Sequence, residues 1–331
     1  MNGIHFAADR QLDLIGLGRA CIDLNANEIH RPMEETRTFT KYVGGSPANI
    51  TIALSRLGMK TGFIGRVAND QHGRFIVNYM RRNGIDTSMM VTDTSGSVTG
   101  LAFTEIKSPT DCSILMYRDN VADLLLETDD VQEEDIRSAK ALLISGTALA
   151  KSPSREAVFR ALELARKHGT VVIFDIDYRA YTWKSREETS VYCKLVAEKS
   201  DVIFGGREEF DILEGNVIDH PRKDAETADA WLKHHAQLVL VKRGGAGSTA
   251  YTRDGGVYPG RTFPAEVVKT FGAGDSFAGA FLYGLLQGWS VDRCQTYGSA
   301  AASIVVASHS CSDAMPTVEQ IEQVLRTHGA T

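Results

Sequence analysis

Short apolar runs rich in valine, isoleucine and leucine recur along the chain, and most are followed by longer stretches in which apolar residues return every three or four positions. Continuous apolar runs of this kind read as strands covered on both faces, and the wider period reads as amphipathic helices. The strand candidates are 12–17, 61–66, 141–145, 171–175, 202–204 and 238–241, and the clearest helices are 154–168, 227–234, 275–288 and 291–308. Alternation of the two predicts an α/β fold, a mainly parallel central sheet with helices on both sides. Residues 25–42 and 98–118 break the rhythm. The second of them alternates through Thr99-Gly100-Leu101-Ala102-Phe103-Thr104-Glu105-Ile106, and together they predict a small separate β-sheet. No internal repeat or low-complexity linker appears.

A chain of 331 residues, 43% of them hydrophobic, suffices for a large core. Lys and Arg number 36 against 42 Asp and Glu, a net charge of −6 without a dense basic run, which argues against a nucleic-acid partner. No apolar stretch approaches the ~20 residues of a membrane span, and residues 1–11 lack the apolar centre of a signal peptide. The five cysteines are scattered without a Cys-x-x-Cys, so neither a disulfide framework nor a zinc site is expected, and a reducing cytoplasm is the expected home.

The candidate chemistry centres on Lys269-Thr270-Phe271-Gly272-Ala273-Gly274-Asp275, a glycine-hinged turn entering an apolar helix. Gly272, Ala273 and Gly274 expose backbone N–H groups where a helix N-terminus attracts phosphate. A carboxylate there repels phosphate, so the useful task for Asp275 is to take a proton from a hydroxyl that attacks it. Alone, the turn reads better as an ordinary capped helix. A second signature changes that balance. Val43-Gly44-Gly45-Ser46-Pro47-Ala48-Asn49 opens a helix stopped at Gly58, with glycines that permit close ligand approach and an asparagine suited to sugar hydroxyls. Gly16-Leu17-Gly18-Arg19-Ala20-Cys21 fails as a dinucleotide fingerprint, because Cys21 stands where a third glycine is needed, and no Walker A sequence is present.

In this order, the two signatures resemble those of the PfkB, or ribokinase-like, carbohydrate kinases. The resemblance implies a three-layer α/β/α sandwich, with residues 1–24, 43–97 and 119–331 as the kinase body and 25–42 and 98–118 as a β lid. It implies ATP and Mg²⁺ as cofactors and in-line phosphoryl transfer, with Asp275 as base and Gly272, Ala273 and Gly274 as the anion hole. Asp23, Gly44, Gly45 and Asn49 would bind the sugar. Arg118, in Met116-Tyr117-Arg118-Asp119-Asn120, and Arg179, in Asp175-Ile176-Asp177-Tyr178-Arg179, would favour a carboxylate-bearing substrate. Glu209, Lys242, Gly244, Gly247 and Ser299 would contact the nucleotide. Gly206 stands where the family usually has Asn, and Glu209 is kept and could organise hydrated Mg²⁺ through water.

The segments 18–36, 145–157 and 269–271 resemble a branch that phosphorylates the 6-hydroxyl of an open-chain keto acid in bacterial myo-inositol catabolism. A 2-keto-3-deoxygluconate kinase, or a catalytically silent sugar-acid sensor on the same fold, are the alternatives. Many relatives carry Asp at the position of Lys269 to help hold a monovalent cation. The lysine here reads either as an internal replacement for that cation or as an exposed residue before a turn. An exposed lid sheet could pair with a second subunit as a homodimer.

Overall fold

The computed structural model describes residues 3–109, 111–215 and 222–330. Its strands there are β1 (Leu12–Leu17), β2 (Cys21–Ala26), β3 (Phe39–Gly44), β4 (Thr61–Ala68), β5 (Met90–Asp93), β6 (Leu101–Ser108), β7 (Asp111–Tyr117), β8 (Ala139–Ser145), β9 (Val171–Asp175), β10 (Val202–Gly206), β11 (Leu238–Lys242), β12 (Ser248–Thr252) and β13 (Val257–Gly260). Nine of them form one sheet in the order β13-β12-β11-β10-β9-β8-β1-β4-β5, parallel from β11 to β5 and antiparallel at β12 and β13.

Why the parallel strands read as unbroken apolar runs is visible in their packing. Leu142 and Ile144 of β8, Val172 and Phe174 of β9, and Val239 and Val241 of β11 enter one buried cluster with the helix Ser154–His168. Their neighbours Leu143, Ile173, Leu238 and Leu240 enter a second cluster on the opposite face, with helices Ser46–Arg56 and Ala273–Leu286. Successive side chains point to opposite faces, so a sheet covered on both sides needs apolar residues at every position. The result is the expected three-layer α/β/α sandwich.

β12 and β13 escape the sequence pattern because their exposure alternates along the strand, β12 lying next to the edge of the sheet and β13, which carries Pro259, at the edge itself. The small sheet has the order β3-β2-β6-β7. It begins earlier and ends later than expected: β2 starts at Cys21 and β3 runs to Gly44, so Asp23 and Gly44 belong to the small sheet and not to the body. β2 is flanked by both β3 and β6, and this central position hides its exposure pattern.

Two helices carry the chemistry. Ser46–Arg56 and Ala273–Leu286 touch at Gly279, where an added Cβ would lie 2.5 Å from that of Ala53. The Phe204 and Phe281 rings meet edge to face at 5.6 Å and fix the second helix on the sheet. Among the described residues, no helix is long and apolar enough to cross a membrane.

Candidate active site

Gly272 caps the helix Ala273–Leu286 with φ +82°, a left-handed conformation in which an added Cβ would also lie 2.7 Å from Cys311 Sγ. The first N–H groups of that helix have no carbonyl one turn back, so they face outward as donors. Asp275, on the first turn, is held from both sides: Oδ1 accepts from Ser46 Oγ at 2.9 Å, and Oδ2 accepts from Asn49 Nδ2 at 2.8 Å. Ser46 Oγ also lies 2.8 Å from Asp175 Oδ2. One hydroxyl has one proton, so it can donate to only one of the two carboxylates at a time. Burial, reinforced by the nearby charges of Asp177 and Asp175, pushes the Asp275 carboxyl up to about 6, against the opposing bond from Asn49.

Two cavities meet at this turn. The smaller, about 200 Å³, is walled by Asp23 of β2, Ala102, Ile114 and Met116 of the small sheet, and Gly45, Ser46, Asn49 and Asp275 of the body. The larger, about 500 Å³, is lined by Gly244, Gly247, Phe263, Phe277 and Ser299 among others. Glu209, Lys242, Thr270 and Gly274 border both. Lys242 Nζ lies 3.2 Å from Asp175 Oδ1 and 3.7 Å from where a Cβ of Gly274 would be. Burial acts to lower the Lys242 pKa, but Asp175, Glu209 and Asp275 outweigh it and hold the ammonium above its ordinary value. A cation, helix N–H donors and a carboxylate with a raised pKa thus share one junction, the parts needed to move a proton off a hydroxyl while a phosphoryl group arrives.

A profile of the pfkB family carbohydrate kinases matches residues 11–318. The chain belongs to that family. It is 67% identical over 326 residues to the 5-dehydro-2-deoxygluconokinase of Geobacillus thermodenitrificans, covering 98% of this chain and 96% of that one. It is 61% identical over 327 residues to the protein of the same name from Bacillus thuringiensis subsp. konkukian, with 99% and 98% covered. The fold matches fructokinase with bound ATP from Xylella fastidiosa at a TM-score of 0.83 and 25% identity, over 96% of this chain and 99% of that one. Fructokinase from Vibrio cholerae in its fructose-, ADP- and calcium-bound form gives 0.82 at 23% identity, over 96% and 100%. This pfkB family kinase therefore has the ribokinase-like fold and uses ATP as its phosphoryl donor.

Most of the expected residues lie on the walls of the two cavities. Asp23, Gly45, Asn49, Arg179 and Asp275 line the smaller cavity, Gly244, Gly247 and Ser299 the larger, and Glu209 and Lys242 both. Gly272 lines the smaller cavity, Ala273 the larger, and Gly274 both. Burial pushes the Asp23 carboxyl up to about 6, although Arg19, Lys269 and Arg179 pull it down. Gly44 lines neither of these two cavities. An added Cβ there would sit 2.0 Å from Asp23 Oδ1, so this glycine makes room for that carboxylate.

Arg118 is a correction. Its guanidinium pairs with Asp123 at 2.6 Å, both side chains are buried, and it is absent from the cavity walls. An acid five residues further on supplies the carboxylate that a substrate was expected to bring. The exposed reading of Lys269 also falls: the residue is fully buried, with Nζ 2.8 Å from Phe271 O and 3.3 Å from Cys311 Sγ. Burial pushes the Cys311 thiol up to about 12, against the pull of Lys269.

Glu209 turns out to have local work. Its Oε1 accepts from Tyr178 N at 2.9 Å and its Oε2 from Gly206 N at 2.7 Å, capping the helix Arg207–Leu213. Among the described residues, no cluster of His, Cys, Asp and Glu forms a cage for a metal ion. The carboxylates of Glu209 and Asp175, both on the wall of the smaller cavity, would suit a hydrated divalent cation brought in with the nucleotide.

Sequence reasoning missed Ser46, Asp177 and Arg19. Asp177 is buried at φ +40°, accepts from Ser145 Oγ at 2.9 Å and pairs with Arg179 at 2.9 Å. Its signal was its place directly after β9, at the carboxyl end of a parallel strand, where open α/β sheets bind ligands.

Proposed function

We propose that this carbohydrate kinase transfers the γ-phosphoryl group of ATP to the 6-hydroxyl of 5-dehydro-2-deoxy-D-gluconate. The observation that carries the chemistry is Asp275 at the meeting point of a small polar cavity and a larger, more apolar one. The choice of acceptor is supported by near-full-length relatives of that name at 61–67% identity.

The sugar acid occupies the smaller cavity, positioned by Asp23, Gly45, Asn49 and Arg179. Asp275, oriented by Ser46 and Asn49, accepts the 6-hydroxyl proton as that oxygen bonds to the γ-phosphorus and the bridging oxygen leaves with ADP. The N–H groups at Gly272–Gly274 and the Lys242 ammonium face the charge that develops on the phosphoryl oxygens. No covalent enzyme intermediate is needed. Hydrated Mg²⁺, when bound, neutralises the phosphates, with Glu209 and Asp175 holding its water shell. Exposed Leu115 and Tyr117 on β7, at the edge of the small sheet, favour pairing with a second copy as a homodimer.

Steady-state assays with 5-dehydro-2-deoxygluconate and 2-keto-3-deoxygluconate, with the product located by phosphorus NMR, test this reading. A higher kcat/KM for the first and a 6-phosphate product are expected. A preference for the second would reassign the substrate, and no turnover with either would leave a binding protein. Light scattering of the parent and of a Leu115→Asp variant tests the dimer, which the substitution should dissociate.

A further inference from the structure

Arg118 and Arg179 each already hold a carboxylate, Arg118 that of Asp123 and Arg179 that of Asp177. Arg19 does not. It lies between β1 and β2 on the wall of the smaller cavity, is 5% exposed, and leaves Nε and Nη1 buried without a hydrogen-bond partner. It forms no ion pair among the described residues. A buried guanidinium left in this state is costly, whereas the same group facing a matching anion is a strong two-pronged binder. Its backbone is packed onto the turn that opens the helix Ser46–Arg56: a Cβ added at Gly45 would stand 2.4 Å from Arg19 O.

We propose that Arg19 receives the carboxylate of the substrate and is the residue by which the enzyme selects a sugar acid over a neutral sugar. The proposal rests on the reading that the acceptor is such an acid. Two further features favour it over a phosphate contact. Arg19 is absent from the walls of the larger cavity, where the nucleotide belongs. It is also the foremost positive neighbour of Asp23 on β2, a residue that lines the smaller cavity and not the larger one.

Arg19→Gln and Arg19→Lys would be assayed with 5-dehydro-2-deoxygluconate and with its carboxamide, which keeps the chain and the 6-hydroxyl but loses the charge. In Arg19→Gln the KM for the acid should rise about 10–100-fold, with kcat and the KM for ATP within about threefold, while the carboxamide parameters stay put and Arg19→Lys recovers part of the loss. Equal losses on acid and carboxamide, or a fall in kcat at unchanged KM, would overturn the assignment. Thermal unfolding gives an independent readout. In Arg19→Gln the upward shift in melting temperature caused by saturating acid should vanish. A parent-like shift would also overturn it. If the unmodified enzyme failed to phosphorylate the acid at all, the choice of acceptor would fall, but loss of the acid-induced thermal shift in Arg19→Gln would still support a carboxylate site at Arg19.

Discussion

Replacing Asp275 by Asn isolates one proton. The variant can keep its hydrogen bonds: its amide oxygen can accept from Asn49 Nδ2, and its amide nitrogen can donate to Ser46 Oγ while Ser46 donates to Asp175. What disappears is the ability to accept the hydroxyl proton. A carboxyl raised from 3.8 to about 6 is a stronger base by roughly 10²-fold, yet still about ten-to-one ionised at pH 7. Turnover should therefore fall by about 10²–10⁴-fold, with KM values little changed. In the parent, kcat/KM should fall steeply below pH 6, where both Asp275 and Asp23 take up protons, and the residual rate of Asp275→Asn should show a shallower limb left by Asp23 alone. The stability trend has the opposite sign. A carboxyl whose folded pKa is raised contributes stability at low pH that is lost as the pH rises through about 6, so the ligand-free parent should soften between pH 4 and 6, and Asp275→Asn less so. A coupled assay for ADP across pH 5–8, paired with urea unfolding at the same pH values, measures both. A variant within tenfold of the parent, or one whose acid limb is as steep as the parent's, would remove Asp275 from proton transfer.

Arg118→Ala should act on stability before it touches catalysis, because it strands Asp123 as a buried charge; a loss of about 3–5 kcal/mol in urea unfolding is expected, and the pair Arg118→Met with Asp123→Leu should recover most of it. Lys269→Met should lower turnover about tenfold or more by freeing the Phe271 carbonyl beside the anion-binding turn, and the parent rate should change less than about twofold when K⁺ is exchanged for a bulky organic cation at constant ionic strength. Strong K⁺ activation of the parent would defeat that account. Gly44→Ala should displace the Asp23 carboxylate and raise the KM for the sugar acid more than that for ATP, and equal effects on both would mean a general loss of structure.

What could be read from the chain follows from periodicity and covalent neighbourhood. β1, β9 and the helix Ser154–His168 have the bounds that their apolar patterns predict, because both faces of the sheet demand apolar residues and the helix stops at a left-handed Gly169. Asp275, its turn and the Gly45–Asn49 helix entry are legible as candidates for a similar reason: backbone donors and glycine conformations are local properties. Pairings made by folding are not. Nothing in the order Arg118-Asp119-Asn120 says that Asp123 turns back to hold the guanidinium, or that Lys269 is sealed against Phe271 and Cys311. Arg19 was hidden by the same limit, since a lone arginine after a strand shows neither its burial nor its missing partner.

Every residue bordering the larger cavity comes from the stretch Gly206 to Val306, whereas the smaller one borrows Asp23, Ala102, Ile114 and Met116 from the small sheet. If the smaller cavity takes the acceptor, substitutions in β2, β6 and β7 reach acceptor recognition without touching a residue of the larger cavity. They reach only part of it, because Arg19, Gly45, Asn49 and Arg179 line the same walls from the body. Moving specificity between kinases of this architecture would therefore take the small sheet together with those body residues as the unit of exchange.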